Sequence, residues 1–205
     1  MGIRSRLPDV RIPWVSITDL LLADVDKYEE FIAVLDSESD IKYTYGEVRN
    51  HTRSIGSALT RNGFQKGDVL CICCPNLPEF PLVLLGTLAV GGIITTANPQ
   101  FTAEEIEKQI KLAQVQYMVT VPECAEKTVR VAAATGIKAV YVLGSAQGCS
   151  PFTELLNDDG SAFPDDVNIS PQDVAFLPFS SGTTGPPKCV MLTHYNIVAN
   201  LLQMR

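Results

Sequence analysis

A long stretch without any charged residue limits the possible folds of this chain most strongly. No Asp, Glu, Lys or Arg occurs between Glu79 and Glu104. Length alone would allow residues 80–97 to cross a membrane. However, a proline opens this run, two adjacent glycines divide it, and residues 93–96 read Ile-Ile-Thr-Thr, which is typical of a strand. We therefore predict a buried helix followed by a buried strand, and no transmembrane segment.

Short apolar runs alternate with helical periodicity along most of the chain. Strands are predicted at residues 31–35, 69–73, 93–96, 117–121 and 139–143, and helices at residues 16–22, 44–63, 78–90, 102–113 and 123–135. A Ser or Thr followed three residues later by Asp or Glu marks the start of three of these helices. Strands separated by single helices predict βαβ units, and therefore an α/β fold with a doubly wound, largely parallel sheet covered on both faces.

The composition changes at residues 144–171, where Gly, Ser, Asp and Pro dominate. Such a composition is typical of a connector, here with one short element near residues 152–156. The connector leads into residues 174–194, in which two apolar, strand-like runs at 174–179 and 189–192 enclose a polar loop. We predict a hairpin over residues 174–194 with this loop at its tip.

The polar loop reads Ser-Ser-Gly-Thr-Thr-Gly-Pro-Pro-Lys over residues 180–188. Glycines allow backbone N–H groups to approach an anion closely, Ser and Thr hydroxyls donate hydrogen bonds, and a lysine adds positive charge. The loop also follows a strand, and α/β sheets bind ligands at the carboxyl ends of their strands. These features favour a polyphosphate-binding loop over the alternative, an ordinary surface loop rich in Gly, Ser and Thr.

A Walker-type loop, G-x-x-x-x-G-K-[ST], is a second alternative, because Gly182 and Lys188 have the separation that this motif requires. However, Pro187 occupies the position of the second glycine. Cys189 occupies the position of the Ser or Thr that binds Mg²⁺. A nucleotide hydrolase of the Walker type is therefore disfavoured.

The loop and the residues after it resemble the signature of a known family. Ser-Ser-Gly-Thr-Thr-Gly-x-Pro-Lys, with Val-Met-Leu-Thr-His following after Cys189, is similar to the AMP-binding signature of the adenylate-forming superfamily. This superfamily includes acyl-CoA synthetases, 4-coumarate-CoA ligases and firefly luciferase, and the chain most resembles the 4-coumarate-CoA ligase and luciferase-like branch. Four upstream segments fall in the order expected of the family's N-terminal region: Tyr43-Thr44-Tyr45-Gly46-Glu47, Lys66-Gly67-Asp68-Val69, Pro75-Asn76 and Asn98-Pro99.

The resemblance implies a ligase that activates a carboxylate. In this family a small organic carboxylic acid attacks the α-phosphate of Mg·ATP, giving an acyl-adenylate and pyrophosphate, and the acyl group then usually passes to coenzyme A. Such transfers depend on positioning and charge neutralisation, which a loop rich in donors can supply. The resemblance assigns the ATP-phosphate contacts to Ser180, Ser181, Gly182, Thr183, Thr184, Gly185 and Lys188. It assigns no catalytic residue and no metal ligand within this chain.

Two positions depart from the family pattern. Pro186 stands where a bulky aliphatic residue is usual, and Cys189 stands where glycine is usual. Pro186 makes the loop stiffer, and Cys189 adds a side chain beside the phosphates and restricts φ, so both are candidates for weakened nucleotide binding; we expect that the loop still forms. Thr193 and His194 also belong to the resemblance, but an N-cap and a first-turn residue of a final helix explain them structurally, so no catalysis is assigned to His194.

The length of 205 residues is less than half that of family members. The resemblance implies that the acyl pocket, the acidic Mg²⁺ residue, the ribose-binding aspartate and the C-terminal lid with its catalytic lysine are absent. We expect a partial N-terminal domain over residues 1–205, from a fragment, a truncated isoform or an incomplete gene model, and inactive alone. The alternative is a non-catalytic protein that pairs with a full-length homologue through an uncovered apolar edge.

Composition and charge limit the other partners and the compartment. A hydrophobic content of 46% indicates a globular domain, and a net charge of -7 with interspersed signs disfavours nucleic acid and anionic membranes as partners. The first residues show no secretory signal. The cysteines at 71, 73 and 74 lack metal-site spacing, so we predict buried thiols. We expect an intracellular protein, with cytoplasm and peroxisome both open.

Overall fold

The computed structural model describes residues 8–180 and 187–204. Its helices are α1 (Ile17–Leu22), α2 (Val25–Tyr28), α3 (Tyr45–Arg61), α4 (Phe80–Ala89), α5 (Ala103–Ala113), α6 (Pro122–Thr135), α7 (Thr153–Leu156) and α8 (His194–Gln203). Its strands are β1 (Ile32–Leu35), β2 (Lys42–Thr44), β3 (Val69–Cys73), β4 (Ile93–Thr96), β5 (Val115–Thr120), β6 (Ala139–Val142), β7 (Ser150–Pro151), β8 (Val174–Phe176), β9 (Phe179–Ser180), β10 (Lys188–Cys189) and β11 (Leu192–Thr193).

The main sheet orders its strands β11-β8-β4-β3-β5-β6-β7. All neighbours are parallel except β11, which pairs with β8 in the antiparallel sense. Chain order reverses at β3, because β4 lies on one side of it and β5 on the other. This reversal confirms the predicted doubly wound, largely parallel α/β sheet.

The central strand β3 supplies side chains to two apolar layers. Leu70 and Ile72 face a layer formed with α3, α4 and α8, whereas Val69, Cys71 and Cys73 face a layer formed with α5 and α6. Since successive side chains of a strand point to opposite faces, a strand apolar at every position is covered on both sides. This arrangement explains why all five residues of β3 are buried.

The charge-free stretch forms α4 and β4, as predicted. α4 is apolar around most of its circumference and packs mainly against α3. In the part of the chain that the structure describes, no helix is long and apolar enough to cross a membrane.

Local signals fixed several helix ends. Thr44 accepts a hydrogen bond from the Glu47 N–H at 3.2 Å, and the Glu47 carboxylate accepts one from the Thr44 N–H at 2.7 Å. The same reciprocal cap begins α1, α5 and α8. α6 ends at Gly136, whose φ of 76° is in the left-handed region that favours glycine.

The connector lies against the helical layer instead of looping freely. Residues of β7 add an edge strand to the main sheet, which the sequence did not indicate, and Phe152 is buried. Further along, the ring of Phe163 packs so closely on α3 that a Cβ on Gly56 would lie 2.7 Å from it. Arg61 donates hydrogen bonds to Asp158 and Asp159 at 3.1 and 2.9 Å, which holds the connector to the end of α3.

Candidate functional site: the loop hairpin and its supports

The polar loop follows β8 at the carboxyl end of the main sheet. The Leu177 N–H donates to the Ile94 carbonyl at 2.8 Å, and the Thr95 hydroxyl donates to the Leu177 carbonyl at 2.7 Å. Pro178 comes next and has no N–H with which to continue the ladder. The predicted strand over residues 174–179 is therefore wrong in extent, because the chain leaves the main sheet after Leu177 and starts a separate strand, β9.

β9 and β10 form a small antiparallel sheet that brings the two ends of the loop together. Ser180 lies opposite Lys188, and Phe179 lies opposite Cys189. Opposite residues of an antiparallel pair project on the same face. Ser180 and Lys188 are both exposed and share one face, whereas Phe179 and Cys189 pack together against the apolar layer of α5 and α6.

The position of Cys189 bears on the predicted impairment of the loop. Its side chain contacts the apolar layer, on the face opposite Ser180 and Lys188, and partial burial raises the pKa of its thiol. Its φ is not among the positive values found along the described chain, so the backbone here does not require glycine. Cys189 thus supports the hairpin from its packed face. It also lacks the hydroxyl group with which the Ser or Thr of a Walker loop binds Mg²⁺.

Of the predicted phosphate contacts, Ser180 and Lys188 are the two that the structure describes. Ser181, Gly182, Thr183, Thr184 and Gly185 lie outside the described residues. Within residues 8–180 and 187–204, Lys188 is exposed and forms no ion pair. The pair of Ser180 and Lys188 offers a hydroxyl and a positive charge on one exposed face of the hairpin.

After the loop, His194 at the start of α8 connects the chain to Ile17 at the start of α1. This side chain is buried, and its Nδ1 atom accepts a hydrogen bond from the Ile17 N–H at 3.2 Å. Burial lowers the pKa of His194, although Asp173 and Asp19 act in the opposite direction. The imidazole therefore accepts at Nδ1 and connects the start of α8 to the start of α1.

A second support comes from Lys66, in one of the segments that resemble the family. Its ammonium group lies 2.8 Å from the Asp173 carboxylate, directly before β8. This hydrogen bond is the largest cause that lowers the pKa of Asp173, and the Ser170 N–H also donates to that carboxylate at 2.8 Å. The Asp173 carbonyl accepts from the His194 N–H at 3.1 Å, so one residue connects both sides of the loop segment.

Two other family-like segments meet at one open cavity. Pro75-Asn76 follows β3 and Asn98-Pro99 follows β4, and both line a cavity of about 640 Å³ at the carboxyl ends of these strands and β5. Lys127 on α6 lines the same cavity, and its ammonium group donates to the carbonyls of Pro99 and Phe101. Sequence reasoning missed Lys127, because a lysine within an amphipathic helix carries no distinguishing signal.

The cysteines form no metal centre in the described ranges. Cys71, Cys73 and Cys74 are buried, and no group of three His, Cys, Asp or Glu side chains there could hold a metal ion. Burial raises the pKa of Cys73 and of Cys74 to about 12, so both thiols are protonated at neutral pH. The prediction of buried structural thiols is confirmed.

A doubly wound sheet with a sequence rich in Ser, Gly and Thr and ending in Lys after strand β8 is typical of nucleotide-binding α/β proteins. Residues 21–205 match the family described as AMP-binding enzyme, and the chain belongs to this family. The resemblance inferred from the sequence is therefore confirmed.

Individual relatives place the chain near the CoA ligases. It is 37% identical over 201 residues to 4-coumarate–CoA ligase 2 of Solanum tuberosum, a match that covers 98% of this chain and 37% of the relative. It is 36% identical over 201 residues to 4-coumarate–CoA ligase 3 of Oryza sativa subsp. japonica, covering 98% of this chain and 36% of that protein. The chain therefore spans less than two-fifths of the length of these relatives.

Solved structures show the same fold. A long-chain-fatty-acid-CoA ligase from Archaeoglobus fulgidus, 27% identical, superposes with a TM-score of 0.88 over 98% of this chain and 41% of that chain. The luciferase-like enzyme of the nonluminescent Zophobas morio mealworm has a TM-score of 0.79 over 88% of this chain and 43% of its own, at 23% identity. This second likeness concerns the fold alone.

Proposed function

We propose that this chain supplies the ATP-phosphate-binding part of an AMP-forming carboxylate–CoA ligase. The observation that carries the proposal is the pairing of Ser180 with Lys188 on one exposed face, at the carboxyl end of the sheet of an AMP-binding enzyme. A hydroxyl donor and an ammonium group suit the oxygens of a polyphosphate. The loop residues 181–185 would add backbone N–H groups and hydroxyls to the same anion.

The chemistry of the complete ligase would proceed in two steps. A carboxylate oxygen of a small organic acid attacks the α-phosphorus of ATP, the bond from this phosphorus to the bridging oxygen breaks, and pyrophosphate leaves. The thiol of coenzyme A then takes the acyl group and AMP leaves. In the first step Lys188 would neutralise charge on the phosphates while the hairpin fixes their position. Mg²⁺ would accompany ATP, and the described residues contain no group of three His, Cys, Asp or Glu side chains that could hold a metal ion.

Titration of the 205-residue chain with Mg·ATP, followed by calorimetry, tests the proposal. We expect Lys188→Ala to weaken binding by roughly tenfold to a hundredfold, the usual effect of losing a hydrogen bond to a charged group. Lys42→Ala is the matched control, because Lys42 is an exposed lysine on the distant strand β2. Equal affinities for the two variants, or no binding by the unaltered chain, would count against the loop as a nucleotide site.

We further propose that this chain alone does not catalyse the reaction, because less than two-fifths of the ligase relatives' length is represented in it. Carboxylate-dependent exchange between ATP and pyrophosphate measures the first step directly. We expect no exchange above background from the chain alone, while Mg·ATP binding persists. Exchange by the chain alone would overturn this part of the proposal without affecting the assignment of Lys188.

A second candidate function is non-catalytic pairing with a full-length homologue. The observation that favours it is a group of exposed apolar side chains near the N-terminus, which are typical of a surface that another polypeptide covers. Sedimentation of the chain with and without a full-length 4-coumarate–CoA ligase distinguishes this role. A complex is expected only if pairing is the function.

A further inference from the structure

The strands that lead into and out of the polar loop keep one register over most of their length. Three pairs of opposite residues share it: Leu192 with Phe176, Cys189 with Phe179, and Lys188 with Ser180. Between these pairs, the Val190 N–H donates to the Pro178 carbonyl at 2.9 Å. Farther from the loop, Thr193 lies opposite Val174, so β8 contributes one more residue than β11 there. The extra residue is a β-bulge, which offsets the pairing by one position.

The bulge makes a second register available, one residue away from the observed one. If the bulge lay next to the loop while β9 kept its place, Lys188 would lie opposite Phe179. Alternate residues of a strand face opposite sides, so Lys188 would leave the face that it shares with Ser180. Cys189 would turn away from the apolar layer of α5 and α6. The position of the bulge therefore determines whether the hydroxyl and the ammonium group can face one anion together.

The incoming strand β8 is fixed on the main sheet, whereas the returning strand β11 needs a further contact. Phe176 forms a register pair with Ile94, and the Leu177 N–H donates to the Ile94 carbonyl at 2.8 Å. By contrast, β11 has two register pairs with β8, separated by the bulge, and pairs with no other strand in the described ranges. A ladder this short holds its register weakly without support from outside the strands.

Asp173 supplies that support at the end of β8 that is remote from the loop. Its carbonyl accepts the His194 N–H at 3.1 Å, and the Pro171 carbonyl accepts the Tyr195 N–H at 2.8 Å. These two hydrogen bonds hold the returning chain against residues 171–173, beyond the bulge. The Asp173 carboxylate accepts hydrogen bonds from the Ser170 N–H and from the Lys66 ammonium group, both at 2.8 Å.

Lys66 is itself held in place by its neighbours. Its side chain lies over Gly91, where an added Cβ would be 2.8 Å from the Lys66 Cγ atom. Its ammonium group also donates to the Asn168 carbonyl at 2.5 Å, and the Gly67 N–H donates to the Gly91 carbonyl at 2.9 Å. Lys66 therefore joins the turn between α4 and β4 to the chain that enters β8.

The Lys66–Asp173 pair is too far from the loop to touch a ligand there. Both residues precede their strands, β3 and β8, and so lie at the amino end of the parallel sheet. At 3.3 Å per residue, the four steps from Asp173 to Leu177 span roughly 13 Å. The two side chains are 47% and 35% exposed, and a pair so exposed contributes little to overall stability. Its effect should be local.

We propose that Lys66 and Asp173 are positioning residues, which hold the strand register that places Ser180 and Lys188 on one face. The consequence for nucleotide affinity rests on the proposed function, whereas the register does not. Bulges beside binding sites often re-aim a side chain, and here the side chain is that of Lys188.

Labelling of Cys189 by iodoacetamide reports the register without any nucleotide. Its thiol packs on the apolar layer in the observed register and faces outward in the shifted one. The labelled 205-residue chain is digested, and mass spectrometry follows the Cys189 peptide. We expect Asp173→Ala and Lys66→Ala each to raise the labelling rate at least about fivefold, because the rate follows the fraction of molecules with an accessible thiol. Lys66→Arg keeps the ion pair and should label at the native rate.

Asp158→Ala is the matched control. The Asp158 carboxylate also pairs with a cation, Arg61 at 3.1 Å, and also accepts a backbone N–H, that of Gly160 at 2.9 Å, but it lies in the connector. Its loss should lower the urea midpoint and leave Cys189 labelling unchanged. Equal acceleration by Asp158→Ala and Asp173→Ala, an unchanged rate in Lys66→Ala, or failure of Lys66→Ala to fold would each overturn the proposal.

Titration of the same variants with Mg·ATP tests the consequence for the ligand. We expect Asp173→Ala and Lys66→Ala to weaken binding by about fivefold to tenfold, because the donors are no longer held in the geometry that the phosphates need. Lys66→Arg and Asp158→Ala should bind like the unaltered chain. Faster labelling with unchanged affinity would overturn the positioning role. If the unaltered chain binds no Mg·ATP, the proposed function fails, and the labelling rates still decide whether the pair holds the register.

Discussion

Two small antiparallel hairpins, β9–β10 and β1–β2, stand at different margins of the same domain and differ in what they expose. Both use one face for packing: Phe179 and Cys189 in the first, Tyr43 and its neighbours in the second. The outer face of β9–β10 presents Ser180 and Lys188, whereas the outer face of β1–β2 is apolar with acidic neighbours. A hairpin's packed face therefore determines its stability, and its outer face determines the kind of ligand it can bind.

The largest effect is expected from comparing substitutions on the packed face and on the exposed face of β1–β2. Tyr43→Ala removes a packed ring and its hydrogen bond to Glu79, and we expect a loss of about 2–3 kcal/mol in the free energy of unfolding, measured with urea. Tyr28→Ala, on the exposed face, should cost less than about 1 kcal/mol in the chain alone. Similar losses at the two positions would show that the faces are not distinct.

A smaller effect is expected from Cys189→Gly, which extends the comparison to β9–β10. Since Cys189 supports the hairpin from its packed face, the substitution should lower the free energy of unfolding by about 1 kcal/mol, because glycine weakens a strand. It should leave Mg·ATP affinity unchanged or slightly weaker. A gain of tenfold or more in Mg·ATP affinity, measured by calorimetry, would contradict this prediction and show that Cys189 impairs nucleotide binding by the native loop.

The smallest expected change in the free energy of unfolding should appear only at mildly acidic pH. The pKa of His194 is lowered in the folded chain, so the unfolded chain binds a proton there more readily. Stability from this group is complete above the ordinary histidine pKa of about 6.5 and falls as pH decreases through and below that value. The groups facing the imidazole include Asp173, Asp19 and Lys66.

Urea unfolding between pH 7.5 and 5 measures this dependence. His194→Asn keeps an acceptor for the Ile17 N–H but cannot be protonated, so it should flatten the pH dependence in this range. His51→Asn serves as the control. An unchanged slope in His194→Asn would exclude His194 as its source.

The sequence predicted the central architecture well, for physical reasons visible in single elements. β3 and β4 have the predicted bounds: β3 is apolar and buried at every position, and β4 consists of four β-branched residues. Thr102 and Gly136 marked helix ends because capping depends on local hydrogen bonds and local backbone geometry. Where the structure depends on residues that are close in the sequence, the residue pattern was sufficient to predict it.

The rest depended on contacts between distant residues. β2, α2 and β7 were not predicted as separate elements, because each is short and is held by packing or by one strand neighbour. The split of the loop strands follows from Pro178 and from hydrogen bonds to Ile94 and Thr95, some eighty residues earlier. At the candidate site, the motif indicated Ser180 and Lys188, but not that Cys189 packs on the opposite face, because this depends on the strand register.

The attachment of Leu177 to β4 also has a consequence for how the protein is made. During synthesis, β4 emerges about eighty residues before its neighbour β8, as the separation of 82 residues between Thr95 and Leu177 shows. One edge of β4 must remain open over that interval, and pairing across such a distance is slow because a long loop has to close first. The base of the polar loop therefore assembles late, and a nascent chain paused in the connector still exposes this edge to aggregation.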